Sequence, residues 1–145
     1  MTEVDELQHA LAAEHAAVYV LGVLGGQAAH LPAPVLRAAI GTAYDVHRGR
    51  RDRLTTMLTS AGAEPVPAEP AYALTHHLAS PEQVATAALR VERRCLTTYG
   101  ALVAASTGAS RRWAVQSLIE TASSELAFGG APEPLPGMRT ERPGS

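Results

Sequence analysis

Apolar side chains near the start of the chain follow a spacing that alternates four and three residues. They are Leu7, Leu11, Val18 and Leu21, and the alternation requires one more apolar residue at position 14. This spacing predicts a first helix over residues 7–25, with one face turned to a core. Position 14 is occupied by Glu14. A carboxylate on a core-facing stripe needs a cation, a metal ion or hydrogen-bond donors, because burying it alone is costly.

The same alternation predicts a second helix that begins at Pro34 and ends near Ala61, just before Gly62. Proline suits the first position of a helix and glycine suits its end. His47 and Arg50 lie at positions of the stripe where apolar residues are expected. The stripe as a whole reads Leu36, Ile40, Ala43, His47, Arg50, Leu54, Met57 and Ala61.

Two further helices are predicted in the second half of the chain. Ser80 and Gln83 form a capping pattern that starts a helix reaching Ser106, and Glu92 lies on its apolar stripe. A fourth helix is predicted over residues 111–128, with Ser110 as its cap and Glu120 at the edge of its apolar side. That side consists of Trp113, Val115, Leu118, Ile119, Ala122 and Leu126.

The connections between these helices predict the fold class. The first and last are short, whereas residues 63–79 contain three prolines and cannot form a continuous helix. A long middle connection lets the chain cross from one end of a bundle to the other. We therefore expect an all-α, ferritin-like four-helix bundle with up-down-down-up topology over residues 1–130. Residues 131–145 are a tail rich in proline and glycine.

Composition and net charge limit which kinds of binding partner the sequence predicts. The chain has 145 residues and a net charge of −2, so no overall positive field attracts nucleic acid or a membrane. The single cysteine, Cys95, excludes an internal disulfide and is read as a small buried apolar residue. The start is acidic, unlike a secretion signal, and no apolar run reaches transmembrane length. We expect a cytoplasmic protein without a membrane partner, and a homodimer formed through apolar helix faces such as residues 18–24.

Each predicted helix contributes one polar residue near its middle: Glu14, His47, Glu92 and Glu120. Carboxylates and imidazoles in one layer of a bundle are the ligands of di-iron-type sites, and iron or manganese would suit them. The complete pattern needs Glu-x-x-His on two helices. Here Tyr44 stands at one glutamate position and Ser123 at one histidine position.

A layer without metal is the alternative that the sequence favours. Arg50 lies one turn beyond His47, and its guanidinium could pair with a carboxylate such as Glu14 or Glu92. The layer would then be a hydrogen-bonded network at the position of a former metal site, because an incomplete ligand set loses metal affinity quickly.

Two segments together resemble a known family: LAAEHAAVY at residues 11–19 and HRGRRD at residues 47–52. The likeness continues through VE at 91–92, LIE at 118–120, GGAP at 129–132 and LPG at 135–137, and covers residues 5–138. It is to the alanine-rich, ferritin-like "domain of unknown function" proteins of high-GC bacteria. This resemblance implies a dimeric four-helix bundle without an assigned activity, in which the missing ligand positions belong to the family's pattern.

Three functions follow from the sequence, which leaves open whether the protein is an enzyme. The first is a non-catalytic binding or structural bundle with a polar core layer and no cofactor. The second is a metal-binding protein or an oxidative enzyme that uses Glu14, His47, Glu92 and Glu120. The third and weakest is an RNA-associated protein, based on four arginines within residues 47–53. The pair His76 and His77 in the crossover is not read as a metal site, because no third ligand lies near it in the sequence.

Overall fold

The structure, a computed structural model, describes residues 1–74 and 78–131. Its four α-helices are α1 (Glu3–Ala28), α2 (Pro34–Ser60), α3 (Pro81–Ala105) and α4 (Gly108–Ser124). A short 3-10 helix, Glu125–Phe128, follows α4, and the described residues contain no strand. The all-helical class predicted from the sequence is confirmed. The pair at residues 76 and 77 and the tail from residue 132 onward lie outside the described residues.

Side-chain caps define the starts of α1 and α3. The Thr2 hydroxyl accepts a hydrogen bond from the Asp5 amide, and the Asp5 carboxylate accepts one from the Thr2 amide at 2.8 Å. Ser80 caps α3 by accepting from the Gln83 amide at 3.2 Å, as predicted. The Gln83 side chain, however, accepts from the amide of Ala79 and not from that of Ser80.

The predicted bounds of the fourth helix are wrong at both ends. α4 begins at Gly108, because this glycine takes a φ of +54° and lets the chain turn directly into the helix after Thr107. It ends at Ser124, where the backbone tightens into the 3-10 helix. Gly129 closes that helix with a φ of +84°, the left-handed conformation that ends many helices.

α1 packs against α2 and α3, and α4 packs against α3. α4 also meets α2, through Arg50. One apolar cluster joins the first half of α1 to the second halves of α2 and α3, and includes Leu7, Leu11, Leu54, Leu58, Tyr99 and Leu102. A second cluster joins the remaining halves through Leu21, Leu24, Ile40, Val84 and Ala88. These contacts require α1 to run opposite to both α2 and α3. His47 and Glu92 fall between the two clusters, and Glu14 lies at the end of the first cluster, beside Ala13 and Ala17.

The long connection between α2 and α3 is attached to the side of α1. The Gln8 side chain donates to the carbonyl of Glu64 at 2.7 Å and accepts from the amide of Val66 at 2.8 Å. About two turns later, the His15 ring is hydrogen-bonded to the carbonyl of Val66 at 3.0 Å. The half-buried His15 therefore holds this connection in place and is not part of the core layer.

α1 is apolar over much of its surface because it packs against both α2 and α3. By length and composition alone, this helix could cross a membrane. This finding corrects the expectation that no apolar stretch is long enough. Half of the most apolar part of α1 is, however, buried inside the bundle. Leu21 and Leu24, from the run expected to be surplus surface, are fully buried inside the bundle. Large exposed apolar side chains include Val115 and Ile119 on α4, Leu126 on the 3-10 helix, and Val35 and Val46 on α2.

Candidate functional site

The imidazole of His47 lies between two carboxylates in the middle of the bundle. Its Nδ1 atom is 2.6 Å from Oε2 of Glu14, and its Nε2 atom is 3.3 Å from Oε2 of Glu92. The three side chains come from α2, α1 and α3, and none is more than 1% exposed. The structure thus brings together three of the four residues predicted to form the layer.

Hydroxyl groups satisfy the remaining carboxylate oxygens. The Tyr99 hydroxyl donates to Oε1 of Glu14 at 2.6 Å, and the Ser124 hydroxyl donates to Oε1 of Glu92 at 2.8 Å. Every oxygen of both buried carboxylates therefore has a hydrogen-bond partner. A buried polar network that is satisfied in this way fixes its members in one arrangement.

The surroundings of His47 favour its protonated form. Burial is the largest single influence and lowers the pKa of the ring. The hydrogen bonds with Cys95, Glu14 and Glu92, together with the charge of Glu14, outweigh it and raise the pKa to about 12. Both ring nitrogens face carboxylate oxygens, so both donate when the ring is protonated. The layer then carries one imidazolium between two carboxylates.

Two neighbours of the layer are held in their neutral forms. Burial, with the charge of Glu14 as the next cause, raises the pKa of the Cys95 thiol to about 11. The same two causes raise the pKa of Tyr99 well above its ordinary value. At neutral pH the thiol and the phenol are therefore uncharged, and Tyr99 acts as a hydrogen-bond donor.

Cys95 lies closer to the layer than its interpretation as an apolar residue suggested. Its Sγ atom is 4.0 Å from Nδ1 of His47. One donor atom each from Glu14, His47 and Cys95 lies within 4.8 Å of the others, and all three residues are buried. Carboxylate, imidazole and thiolate in one cluster form a donor set that a transition metal ion could use.

The predicted pairing of Arg50 with Glu14 or Glu92 is wrong. The guanidinium instead donates to Thr121 Oγ1 at 2.7 Å, to the Ser117 carbonyl at 3.3 Å and to Glu120 Oε2 at 3.1 Å. The physical reason is that His47 already fills the space between the two carboxylates. Arg50, one turn further along α2, faces α4 and lies 5.4 Å from the centre of the Tyr99 ring.

Glu120 does not join the layer. Its side chain is 51% exposed, and its partners are Arg50 and Gln116. Thr121 is fully buried and Ser124 reaches Glu92, so the inward pair on α4 lies one residue later than the pair Glu120 and Ser123 suggested by the sequence.

The apolar residues of α4 caused this error of register. Val115 and Ile119 are 37% and 61% exposed, whereas Trp113 and Leu118 pack against the core, so the predicted apolar side is divided between surface and core. The inward side consists of small residues with a spacing of three and four: Ala114, Ser117 and Thr121. That run of small side chains was the signal in the sequence that could have identified the packed face.

The arginine stripe of α2 is divided between core and surface. Arg50 is buried, and Arg51 pairs with the neighbouring Asp52 at 2.8 Å. The guanidinium of Arg48 lies over the Tyr44 ring, and Arg53 is exposed. Only part of the stripe is thus available to a phosphate backbone.

Comparison with known proteins identifies relatives without a described activity. The profile of a family described as "Domain of unknown function (DUF4439)" matches residues 6–140. The chain is similar to the crystal structure of "a conserved hypothetical protein, rv2844, from Mycobacterium tuberculosis", with 30% identity and a TM-score of 0.78. The match covers 88% of this chain and 94% of that one. No curated protein matches the chain.

Proposed function

The chain belongs to the family described as "Domain of unknown function (DUF4439)", and we propose that it is a ferritin-like bundle in which a protonated histidine takes the place of metal ions. The opposite directions of α1 and α2, and the shared direction of α2 and α3, support ferritin-like connectivity with a crossover. In this proposal the domain is a cytoplasmic structural or binding module and not an enzyme.

The position of His47 carries this proposal. One imidazolium neutralises part of the charge of both Glu14 and Glu92 and uses both of its N–H groups. Tyr99 and Ser124 then complete the hydrogen bonding of the carboxylates. A buried carboxylate that is paired and hydrogen-bonded does not require a metal ion to be stable.

The residues present do not fit a di-iron centre. Such a centre draws six carboxylate and imidazole ligands from four helices, and the layer offers three: Glu14, His47 and Glu92. On α4 the inward residues are Thr121 and Ser124, and on α2 the Tyr44 ring packs beside Gly22. We therefore derive no oxidative chemistry through two metal ions.

Metal content and the protonation of His47 test the proposal directly. We expect protein purified without chelator to contain no stoichiometric iron or manganese. We also expect both ring nitrogens of His47 to be protonated at pH 8 in a ¹⁵N NMR spectrum. A stoichiometric metal that is lost in Glu14→Ala but retained in Glu120→Ala would overturn the proposal. A neutral His47 ring at pH 8 would overturn it as well.

The cluster that includes Cys95 favours a second candidate function, the binding of a single thiophilic metal ion. Glu14, His47 and Cys95 would supply carboxylate, imidazole and thiolate ligands. Glu92 would accept a hydrogen bond from Nε2 of His47, which leaves Nδ1 available as a ligand. A carboxylate behind a metal-bound histidine is a frequent arrangement around zinc.

Cobalt alone is the probe for this second function, because a cobalt–thiolate bond gives an intense absorption band in the near ultraviolet. The second function predicts that band on titration of the protein with Co²⁺ above pH 8, and predicts its loss in Cys95→Ser. Glu120→Gln is the matched control and should retain the band. Absence of the band in the unmodified protein would exclude thiolate ligation.

RNA binding and self-association remain weaker proposals. Arg48 and Arg53 support some contact with phosphate, and such a contact should weaken steeply as salt is raised. RNA retention that does not change with salt would contradict this use of the arginines.

A further inference from the structure

A cavity of about 450 Å³ lies between α1, α3 and the connection that joins α2 to α3. Its wall on α1 is made of small side chains, including Ala13, Ala16 and Ala17. Its wall on α3 includes Ala87 and Val91, and Leu74 and Leu78 line it from the connection. Alanines leave room beside the helices that leucines at the same positions would fill.

Contacts with α1 fix the first part of the connection on the side of that helix. Gln8 and His15 bind its backbone at Glu64 and Val66. The rings of Tyr19 and Tyr72 pack against each other, with their centres 5.4 Å apart. An irregular connection of this length within a small helical domain is often functional. Here Ala73, Leu74 and Leu78 of the connection form one side of the cavity.

The two ends of the cavity differ in charge. Arg90 and Arg94 lie one turn apart on α3 and line one end, and both side chains are exposed. Neither arginine has an ion-pair partner among residues 1–74 and 78–131. Glu82 lines the cavity two turns before Arg90, about 12 Å away along the helix axis. The cavity therefore combines an apolar wall with a cationic end.

We propose that this cavity binds an aliphatic carboxylate, with its chain against the alanines and its head group at Arg90 and Arg94. Guanidinium groups bind carboxylates through paired hydrogen bonds, and two of them one turn apart can share one head group. The volume lies within the range of small-molecule cavities and suits a chain of medium length. The residues that line the cavity do not include Glu14, His47 or Glu92.

Isothermal titration with decanoate, kept below its micelle concentration, tests this proposal. We expect decanoate to bind the unmodified full-length protein. Acetate lacks the chain and decylamine carries the opposite charge, so we expect neither to bind at the same concentration. No heat with decanoate, or equal binding of decylamine, would overturn the proposal. Decyl phosphate distinguishes a carboxylate site from a general anion site, and tighter binding of the phosphate would overturn the choice of head group.

Charge reversal at the cationic end provides the second arm. The double variant Arg90→Glu/Arg94→Glu changes two exposed side chains, so we expect it to fold and to bind decanoate at least tenfold more weakly. The matched control is Arg111→Glu/Arg112→Glu, which makes the same charge change at exposed positions of α4. We expect the control to retain the affinity. Equal losses in the two double variants would show that decanoate responds only to net charge and would overturn the site.

Discussion

The hydroxyl of Ser124 donates a hydrogen bond of 2.8 Å to Oε1 of Glu92, and this contact defines which side of α4 faces the core. Ser124 lies three residues after the buried Thr121. Both face the core, at the three-residue spacing of a Glu-x-x-His pair in a metal-binding bundle. The pair is neutral here, so the positive charge of the layer comes from His47.

The register of α4 can be tested by adding ligands. We expect Thr121→Glu/Ser124→His to gain affinity for Mn²⁺ by at least tenfold, because it adds a carboxylate and an imidazole beside Glu92. Ser123→His, which extends the outward pair that begins at Glu120, is the control. Its side chain points to solvent and should leave the affinity for Mn²⁺ unchanged. A gain in the Ser123 variant alone would contradict the register.

Removing Glu14 should cost far more stability than removing Glu120. Glu14→Ala leaves His47 and Tyr99 buried without their shared acceptor, and the loss of one partner from a buried pair costs about 3–5 kcal/mol. Glu120→Ala removes a half-exposed carboxylate, which we expect to cost less than about 1 kcal/mol. Urea unfolding of both variants measures the difference, and equal losses would contradict the structural role of the layer.

The stability of the fold should fall as pH rises above neutrality. The pKa of His47 is about 12 in the folded protein and 6.5 ordinarily, so between these values the folded chain binds one more proton than the unfolded chain. The contribution of His47 is therefore complete below pH 6.5 and is lost progressively up to pH 12. One proton corresponds to a slope of about 1.4 kcal/mol per pH unit.

Between pH 7.5 and pH 9 the His47 proton is the largest contribution, and the Cys95 thiol, whose ordinary pKa is 9.0, adds to it near the upper end. Above pH 9 the raised pKa values of Cys95 and Tyr99 act in the same direction, because the folded chain keeps protons that the unfolded chain releases. Urea unfolding across the range measures the slope, and an NMR titration of the His47 ring follows the proton itself. A stability that is constant or rises from pH 7.5 to pH 9 would refute the assignment of a protonated His47.

If the protein forms the dimer predicted from the sequence, we expect the dimer interface to lie on α4 and not on α1. Ile119 is 61% exposed on the outward apolar side of α4. We expect sedimentation to give a dimer at micromolar concentration and Ile119→Arg to give a monomer. Val35→Arg changes an even more exposed apolar residue at the start of α2 and should leave the dimer intact. A monomeric unmodified protein would contradict the prediction.

The helices and the buried polar residues of α1, α2 and α3 could be predicted from the sequence. Their apolar stripes are strong, so Glu14, His47 and Glu92 stood out as polar exceptions and are all buried. The fourth helix could not be placed in the same way. Its large apolar residues are divided, because Val115 and Ile119 are exposed while Trp113 and Leu118 pack half-buried against the core. The buried positions are Ala114, Ser117 and Thr121, so hydrophobicity did not identify the packed side.

The amino-acid sequence by itself determined four helices and the start of α3 at its Ser80 cap. It also determined the positions along α1, α2 and α3 at which three polar side chains enter the core. These properties depend on residues close together along the chain, where helical spacing fixes which side chains share a face. Only the tertiary structure decided the partners. His47 lies between the two carboxylates, and Arg50 instead faces α4. The reason is that the distances between helices decide which charged groups can meet, and spacing along the chain does not set those distances.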